Sequence, residues 1–173
     1  MAKSPKRERP SWDESFMMSC LLAAARSSCI HLQTGAAIVR DKRVIATGYN
    51  GAPPNIENCL ARGCRKDEKG IDFHDKGKSI CRGTHAEMNA MGQIARHELI
   101  GVSIYTLYFP CSACAKEIAG KSLSEVVYCR PYQGEDDLTR EIFAEAGISL
   151  RQLKFDTEKY LAILRRVAPE HQK

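Results

Sequence analysis

The sequence predicts a three-layer α/β/α domain on a mixed five-stranded sheet, and three observations carry that expectation. Two short runs, Gly35-Ala-Ala-Ile-Val-Arg40 and Val44-Ile-Ala-Thr-Gly48, flank the tight turn Asp41-Lys42 and read as a β-hairpin. From Val102 onward the pattern runs strand, helix, strand, helix, strand, which implies parallel pairing through right-handed crossovers. The length, 173 residues, suits one domain whose sheet is covered by helices on both faces.

Each element has its own local reason. Ser11 precedes an apolar run reaching about Arg26, and Glu14 three residues later completes a capping box; Phe16, Cys20, Ala23 and Ala24 share a face. After the hairpin, regular structure lapses from Ala52 to Arg82, where Pro53-Pro54 interrupts it and residues 61–80 are polar and aperiodic. So long an irregular stretch inside one domain argues for function, disorder or a local tether. Thr84 to about His97 has helical spacing, with Thr84 as N-cap and Glu87 three residues on. Val102 to Phe109 alternates like a strand, and Pro110 opens a helix through Ala119. Glu125–Cys129 is a strand, Asp136–Ala146 a helix closed by Gly147, Ile148–Leu153 a strand and Thr157–Val167 a last helix.

Composition narrows the function classes. The formal net charge is +5, and Lys3, Lys6, Arg7 and Arg9 against Glu8 put +3 of it in residues 1–10. Those residues are expected to be a basic, flexible tail on a single domain spanning residues 11–173. The remaining +2 is too little for the basic face of a duplex nucleic-acid binder. The longest apolar run, Phe16 to Ala25, is broken by Ser19, so neither a membrane span nor a secretory segment is expected. Eight cysteines in such a chain point to a reducing, cytoplasmic setting and to roles other than disulfides.

Four of the residues at two expected helix starts carry chemistry. His85 and Glu87 fall in one first turn, and Cys111 and Cys114 in another, within Pro110-Cys-Ser-Ala-Cys114. An i, i+3 pair shares a helix face, and a helix start favours the thiolate that binds metal. One imidazole and two thiolates make three ligands for tetrahedral zinc with the fourth position left for water, the pattern of a catalytic site. Zinc lowers the pKa of bound water towards neutrality, and Glu87, beside a ligand, is placed to carry protons. His-x-Glu followed by Pro-Cys-x-x-Cys is the signature of the zinc deaminases, in which water attacks C4 of a cytosine-type ring.

Further strings make the likeness narrower. Thr84-His-Ala-Glu-Met-Asn-Ala90, Pro110-Cys-Ser-Ala-Cys-Ala-Lys116 and Thr47-Gly-Tyr-Asn-Gly51 resemble the deoxycytidylate (dCMP) deaminases of the cytidine deaminase superfamily. Pro10-Ser-Trp-Asp-Glu14, Ala25-Arg-Ser-Ser-Cys29 and Val126-Val-Tyr-Cys129 look like that family too, so the resemblance covers about residues 10–150. It implies a cytidine deaminase-like fold, hydrolysis of dCMP to dUMP in supply of thymidylate synthesis, and a homo-oligomer, hexamer or dimer. It also implies activation by dCTP and inhibition by dTTP, with Gly48–Pro53 as the place for such an effector.

By the same resemblance Asn50 would bond the deoxyribose 3′-hydroxyl, Arg26 and Ser27 would meet the 5′-phosphate, and Ala86 and Tyr128 would touch substrate. Taken alone, Asn50 reads as a turn residue, Arg26 as a solvated helix end and Tyr128 as a buried strand residue. The family commonly has threonine three residues before the Pro-Cys pair, where this chain has Leu107.

The irregular segment has its own donors: Cys59, Cys64 and Cys81, with His74 among them and Cys29 upstream. A second, closed zinc site would order such a segment. The resemblance implies a structural zinc on Cys29, Cys59 and Cys81, with Cys64 preferred over His74 as fourth ligand; unpaired thiols are the alternative. Cys20 and Cys129 read as packing residues. Two other functions stay open beside dCMP deamination. One is deamination of dCTP, a modified deoxycytidylate, or a pterin or riboflavin precursor. The other is a non-catalytic, zinc-stabilised nucleotide-binding module, for which Glu87 would have no purpose.

Overall fold

Strands that are apolar on both faces need helices on both sides. The computed structural model, which describes residues 9–75, 80–132 and 137–168, supplies both layers. Most of the expected basic tail, and Asp136 at the expected start of a helix, lie outside the described residues. The strands are β1 (Gly35–Arg40), β2 (Arg43–Tyr49), β3 (Ser103–Tyr108), β4 (Glu125–Arg130) and β5 (Ser149–Gln152), in the order β2-β1-β3-β4-β5. β1 is antiparallel to both β2 and β3, while β3, β4 and β5 run parallel, so the expected mixed sheet is the observed one.

The helices are α1 (Trp12–Ala24), α2 (Cys59–Arg62), α3 (Arg65–Glu68), α4 (Ala86–Met91), α5 (Ser112–Gly120), α6 (Asp137–Glu145) and α7 (Thr157–Val167). Alternation along the strands sorts them into layers. Ala36, Ile38, Ile104 and Val126 face a core shared with Ala86 and Ala90 of α4, Ala115 and Ile118 of α5, and Phe143 of α6. Ala37, Val39, Tyr105, Leu107 and Val127 face the opposite core, filled by Phe16, Met17, Cys20 and Ala24 of α1. Cys20 is fully buried there and Cys129 packs against the same cluster, as their expected packing roles require.

Local signals and structure agree best where a cap is present. The Ser11 hydroxyl accepts from the Glu14 amide at 3.3 Å and the Ser11 amide donates to the Glu14 carboxylate at 2.6 Å, which starts α1 as expected. The helix expected over 84–97 is shorter: α4 ends at Met91, Gly92 caps it, and the chain turns into a 3₁₀ turn at Arg96–Glu98. The irregular segment holds two single-turn helices that no periodicity announced. Asn58 caps the first by accepting from the Leu60 and Ala61 amides. Among the described residues no helix is long and apolar enough to cross a membrane.

One close approach sets the position of α4. Gly48 on β2 lies so near α4 that a Cβ there would overlap the Ala86 carbonyl oxygen and the Ala90 amide nitrogen. Both are backbone atoms, so relief requires the whole helix to move. Gly48→Ala is therefore expected to cost about 3 kcal/mol, or roughly 6–12 °C in Tm for a domain this size. Thermal unfolding checks the loss, and metal analysis of the folded fraction is expected to show weakened zinc retention.

Candidate metal centre and its cavity

The topology brings two helix starts to one end of the strands. β2 and β3 are each antiparallel to β1, so they point the same way. The chain leaving β2 returns to begin α4, and the chain leaving β3 begins α5 directly. A short ladder pins the first connection: the Gly51 amide donates to the Thr84 carbonyl at 3.2 Å and the Thr84 amide to the Gly51 carbonyl at 2.8 Å. His85 then occupies the N-cap of α4, one residue later than the Thr84 cap expected, and Cys111 the N-cap of α5, which begins at Ser112, two residues after Pro110. Neither side chain caps its own helix, which leaves both aimed at each other.

His85 Nδ1 lies 3.4 Å from Cys111 Sγ and 3.3 Å from Cys114 Sγ, and the three donor atoms fall within 4.8 Å of one another. A tetrahedral zinc with ordinary Zn–N and Zn–S bonds separates such atoms by about 3.5 Å. The donor set therefore fits the ion its chemistry favours. Glu87 stands just behind it, buried, with Oε2 accepting from the Cys114 thiol at 3.5 Å and Oε1 from the Thr106 hydroxyl at 3.1 Å. The sequence-expected quartet His85, Glu87, Cys111 and Cys114 is thus assembled.

Proximity sets the proton affinities. The hydrogen bond from Cys114 and the neighbouring His85 pull the Cys111 thiol down to about 4, so the thiolate forms there first. Cys114 is pushed far up by that same bond, by burial and by the Glu87 charge. The bond to Cys111 raises His85, and burial raises Glu87. Two sulfurs and a carboxylate crowded this closely favour a cation among them. A buried carboxyl shifted upward is suited to give and take a proton near neutral pH.

A cavity of about 450 Å³ opens over these residues, lined by His85, Glu87, Cys111, Asn50, Thr84, Tyr108, Phe109 and Tyr132 among others. That is ample for a small organic ligand. Asn50 lines it, yet its amide is largely engaged. Oδ1 accepts from the Ser27 hydroxyl at 2.7 Å and the Thr34 amide at 2.9 Å, while Nδ2 donates to the Leu32 carbonyl at 2.7 Å. Its first duty is to fold the loop, with one N–H left for a ligand.

Four expected contacts take other places. Arg26 is exposed and absent from the cavity wall, because it follows the end of α1 on the solvent side. Ser27 is buried, its hydroxyl spent on Asn50 and the Cys29 amide; Ser28 lines the wall instead. Ala86 has no exposed surface and packs in the core against the sheet. Tyr128 is buried one layer back, edge-on to the cavity residue Phe109 with ring centroids 5.1 Å apart.

The loop donors divide as well. Cys29, Cys59 and Cys81 line the cavity, and the Cys59 thiol is raised by burial and by Cys29, Cys64 and Cys81 nearby. No three of the expected loop donors share ligand distance. Cys64 instead groups with His31 and Asp67, because α3 turns the Asp67 carboxylate to 2.9 Å from His31 Nε2. His74 packs edge-on against Phe73, which stacks on His31. Thr106 and Lys66 are the site residues that sequence reasoning missed. The strand alternation of 103–108 held the signal for Thr106; Lys66 had none.

Comparison with known proteins agrees with this geometry. Residues 10–130 match the cytidine and deoxycytidylate deaminase zinc-binding region. The chain is 37% identical over 157 residues to the deoxycytidylate deaminase of Saccharomyces cerevisiae, covering 90% of this chain and 49% of that protein, so it spans about half the length of that relative. It is 39% identical over 122 residues to the deoxycytidylate deaminase of Mycobacterium phage D29, covering 69% of this chain and 95% of that one. The fold superposes with a TM-score of 0.66 on the dCMP deaminase of cyanophage S-TIM5 in complex with dCMP and dUMP, at 23% identity, covering 85% of this chain and 100% of that one.

Removing one sulfur tests the metal centre. Cys114→Ser is expected to lower bound zinc by about one equivalent per chain, measured by elemental analysis of the folded protein. Any equivalent that survives the substitution belongs to the loop thiols.

Proposed function

Because the chain belongs to the cytidine and deoxycytidylate deaminase family, we propose that it hydrolyses dCMP to dUMP and ammonia. The observation that carries this reading is a buried carboxyl, Glu87, set behind a His-Cys-Cys donor set at the floor of a nucleotide-sized cavity. Held by His85, Cys111 and Cys114, zinc supplies Lewis acidity that makes water a nucleophile near neutral pH.

The protein's own groups do the rest. Glu87 takes a proton from the attacking water and delivers one to ring N3 as C4 becomes tetrahedral. A second transfer through the same carboxyl reaches the amino nitrogen, the C4–N bond breaks, and ammonia leaves with a C4 carbonyl behind. Both transfers need the carboxyl to keep one orientation while its proton comes and goes. Thr106 supplies that constraint by donating to Oε1 from the floor of the sheet, leaving Oε2 towards the sulfur donors. Thr106 is a positioning residue.

Tyr108, the last residue of β3, and Phe109 just after it give the cavity aromatic surface against which a pyrimidine ring can pack. Phe109 is itself held by the edge of Tyr128 behind it, and the Arg140 guanidinium lies 4.7 Å from its ring centroid. In this way the expected Tyr128 contact becomes an indirect one.

Glu87→Gln is expected to retain zinc and the fold while lowering ammonia release from dCMP by about 10²–10⁴-fold. A coupled ammonia assay reads this, and undiminished release overturns the role given to Glu87. Thr106→Val removes only the hydroxyl and is expected to lower kcat about 10-fold with KM and zinc content unchanged. Thr106→Ser, which restores the donor, is expected to recover most of the loss in steady-state assays.

A further inference from the structure

Lys66 is 9% exposed and lies in the wall of the cavity that holds His85 and Glu87. Its ammonium donates to the Phe73 carbonyl at 2.6 Å and the Asp75 carbonyl at 2.8 Å, and lies 5.5 Å from the Phe73 ring centroid. All these partners are neutral groups. Asp75 also lines the wall, but the acceptor is its backbone carbonyl, and no carboxylate of the described residues forms an ion pair with Lys66.

An ammonium carries three N–H donors, and two are used. A charge held out of water beside neutral acceptors alone is costly, and the cost falls when an anion arrives. Lys66 is the one lysine or arginine among the described residues lining the cavity. Arg26, expected to serve a phosphate, is on the solvent side.

We propose that Lys66 recognises the 5′-phosphate of a deoxycytidine nucleotide, giving its third N–H and its charge to a phosphate oxygen, so that the site selects nucleotides over nucleosides. The proposal rests on the deaminase reading and adds what that reading left without a residue. The phosphate concerned is the one carried by dCMP, not a β- or γ-phosphate.

The test uses the zinc-loaded full chain with deoxycytidine, dCMP and dCTP as substrates. Lys66→Gln keeps an amide donor for the loop carbonyls and removes the charge. It is expected to lower the ratio of dCMP to deoxycytidine kcat/KM about 10- to 100-fold, the range of a charge-assisted hydrogen bond. Lys66→Arg is expected to keep the preference for dCMP. An unchanged ratio of dCMP to deoxycytidine turnover in Lys66→Gln, or a loss confined to dCTP, overturns the proposal.

A measurement on the unaltered protein covers the case in which the variant does not fold. Acylation of Lys66, followed by mass spectrometry, is expected to slow in dCMP or inorganic phosphate but not in deoxycytidine. Equal protection by deoxycytidine, or none by dCMP or phosphate, overturns the assignment. If the unaltered chain deaminates none of the three substrates, the deaminase reading fails, while protection by inorganic phosphate still reports on Lys66.

Discussion

The site depends on one packing constraint: two helices must begin at the same end of the strands, close enough for an imidazole on one to meet two sulfurs on the other. Strand direction puts the starts at one end, since β2 and β3 run the same way on either side of β1. Contact between β2 and α4 sets the spacing, and Gly48 permits it because its missing Cβ lets backbone meet backbone. The N–H···O ladder between Gly51 and Thr84 then fixes where α4 starts. With the helix starts so placed, the His85 imidazole lies 3.3 and 3.4 Å from the two sulfurs.

Burial of Glu87 is the second consequence. A carboxyl in the core disfavours its own charge, and its upward shift has burial as the largest cause. The Thr106 hydroxyl and the nearby imidazole offset part of that penalty, so the group stays available to both protonation states. Strand alternation explains why a threonine at 106, rather than at 107, does this. Thr106 faces the α4 and α5 layer, while Leu107 faces α1 across the sheet and packs in the opposite core. The departure from the family pattern at Leu107 therefore falls on the face away from the donors.

The polar loop shows how far local reasoning reaches. Its cysteines suggested one tether, yet its ordering contacts are mixed. His31 bonds Asp67 and stacks on Phe73, and Lys66 reaches the Phe73 and Asp75 carbonyls. These contacts join His31, in the connection between α1 and β1, to the middle of the loop and hold the loop on itself, and they have no period to announce them. The same folding carries Lys66 into the cavity wall and leaves Arg26 outside it.

Sequence alone determined the strands, the longer helices, their layering and the quartet His85, Glu87, Cys111 and Cys114, because each rests on short-range regularities. Alternation marks a two-faced strand, a capping box marks α1, and His-x-Glu with Cys-x-x-Cys needs only a helical turn to face its donors one way. The shorter α4, the partners of Cys64, the engagement of Asn50 and Ser27, and the placement of Thr106 and Lys66 were decided in three dimensions. Each of these depends on which distant backbone or side chain comes within hydrogen-bonding range, and that is a property of the packed chain, not of any window along it.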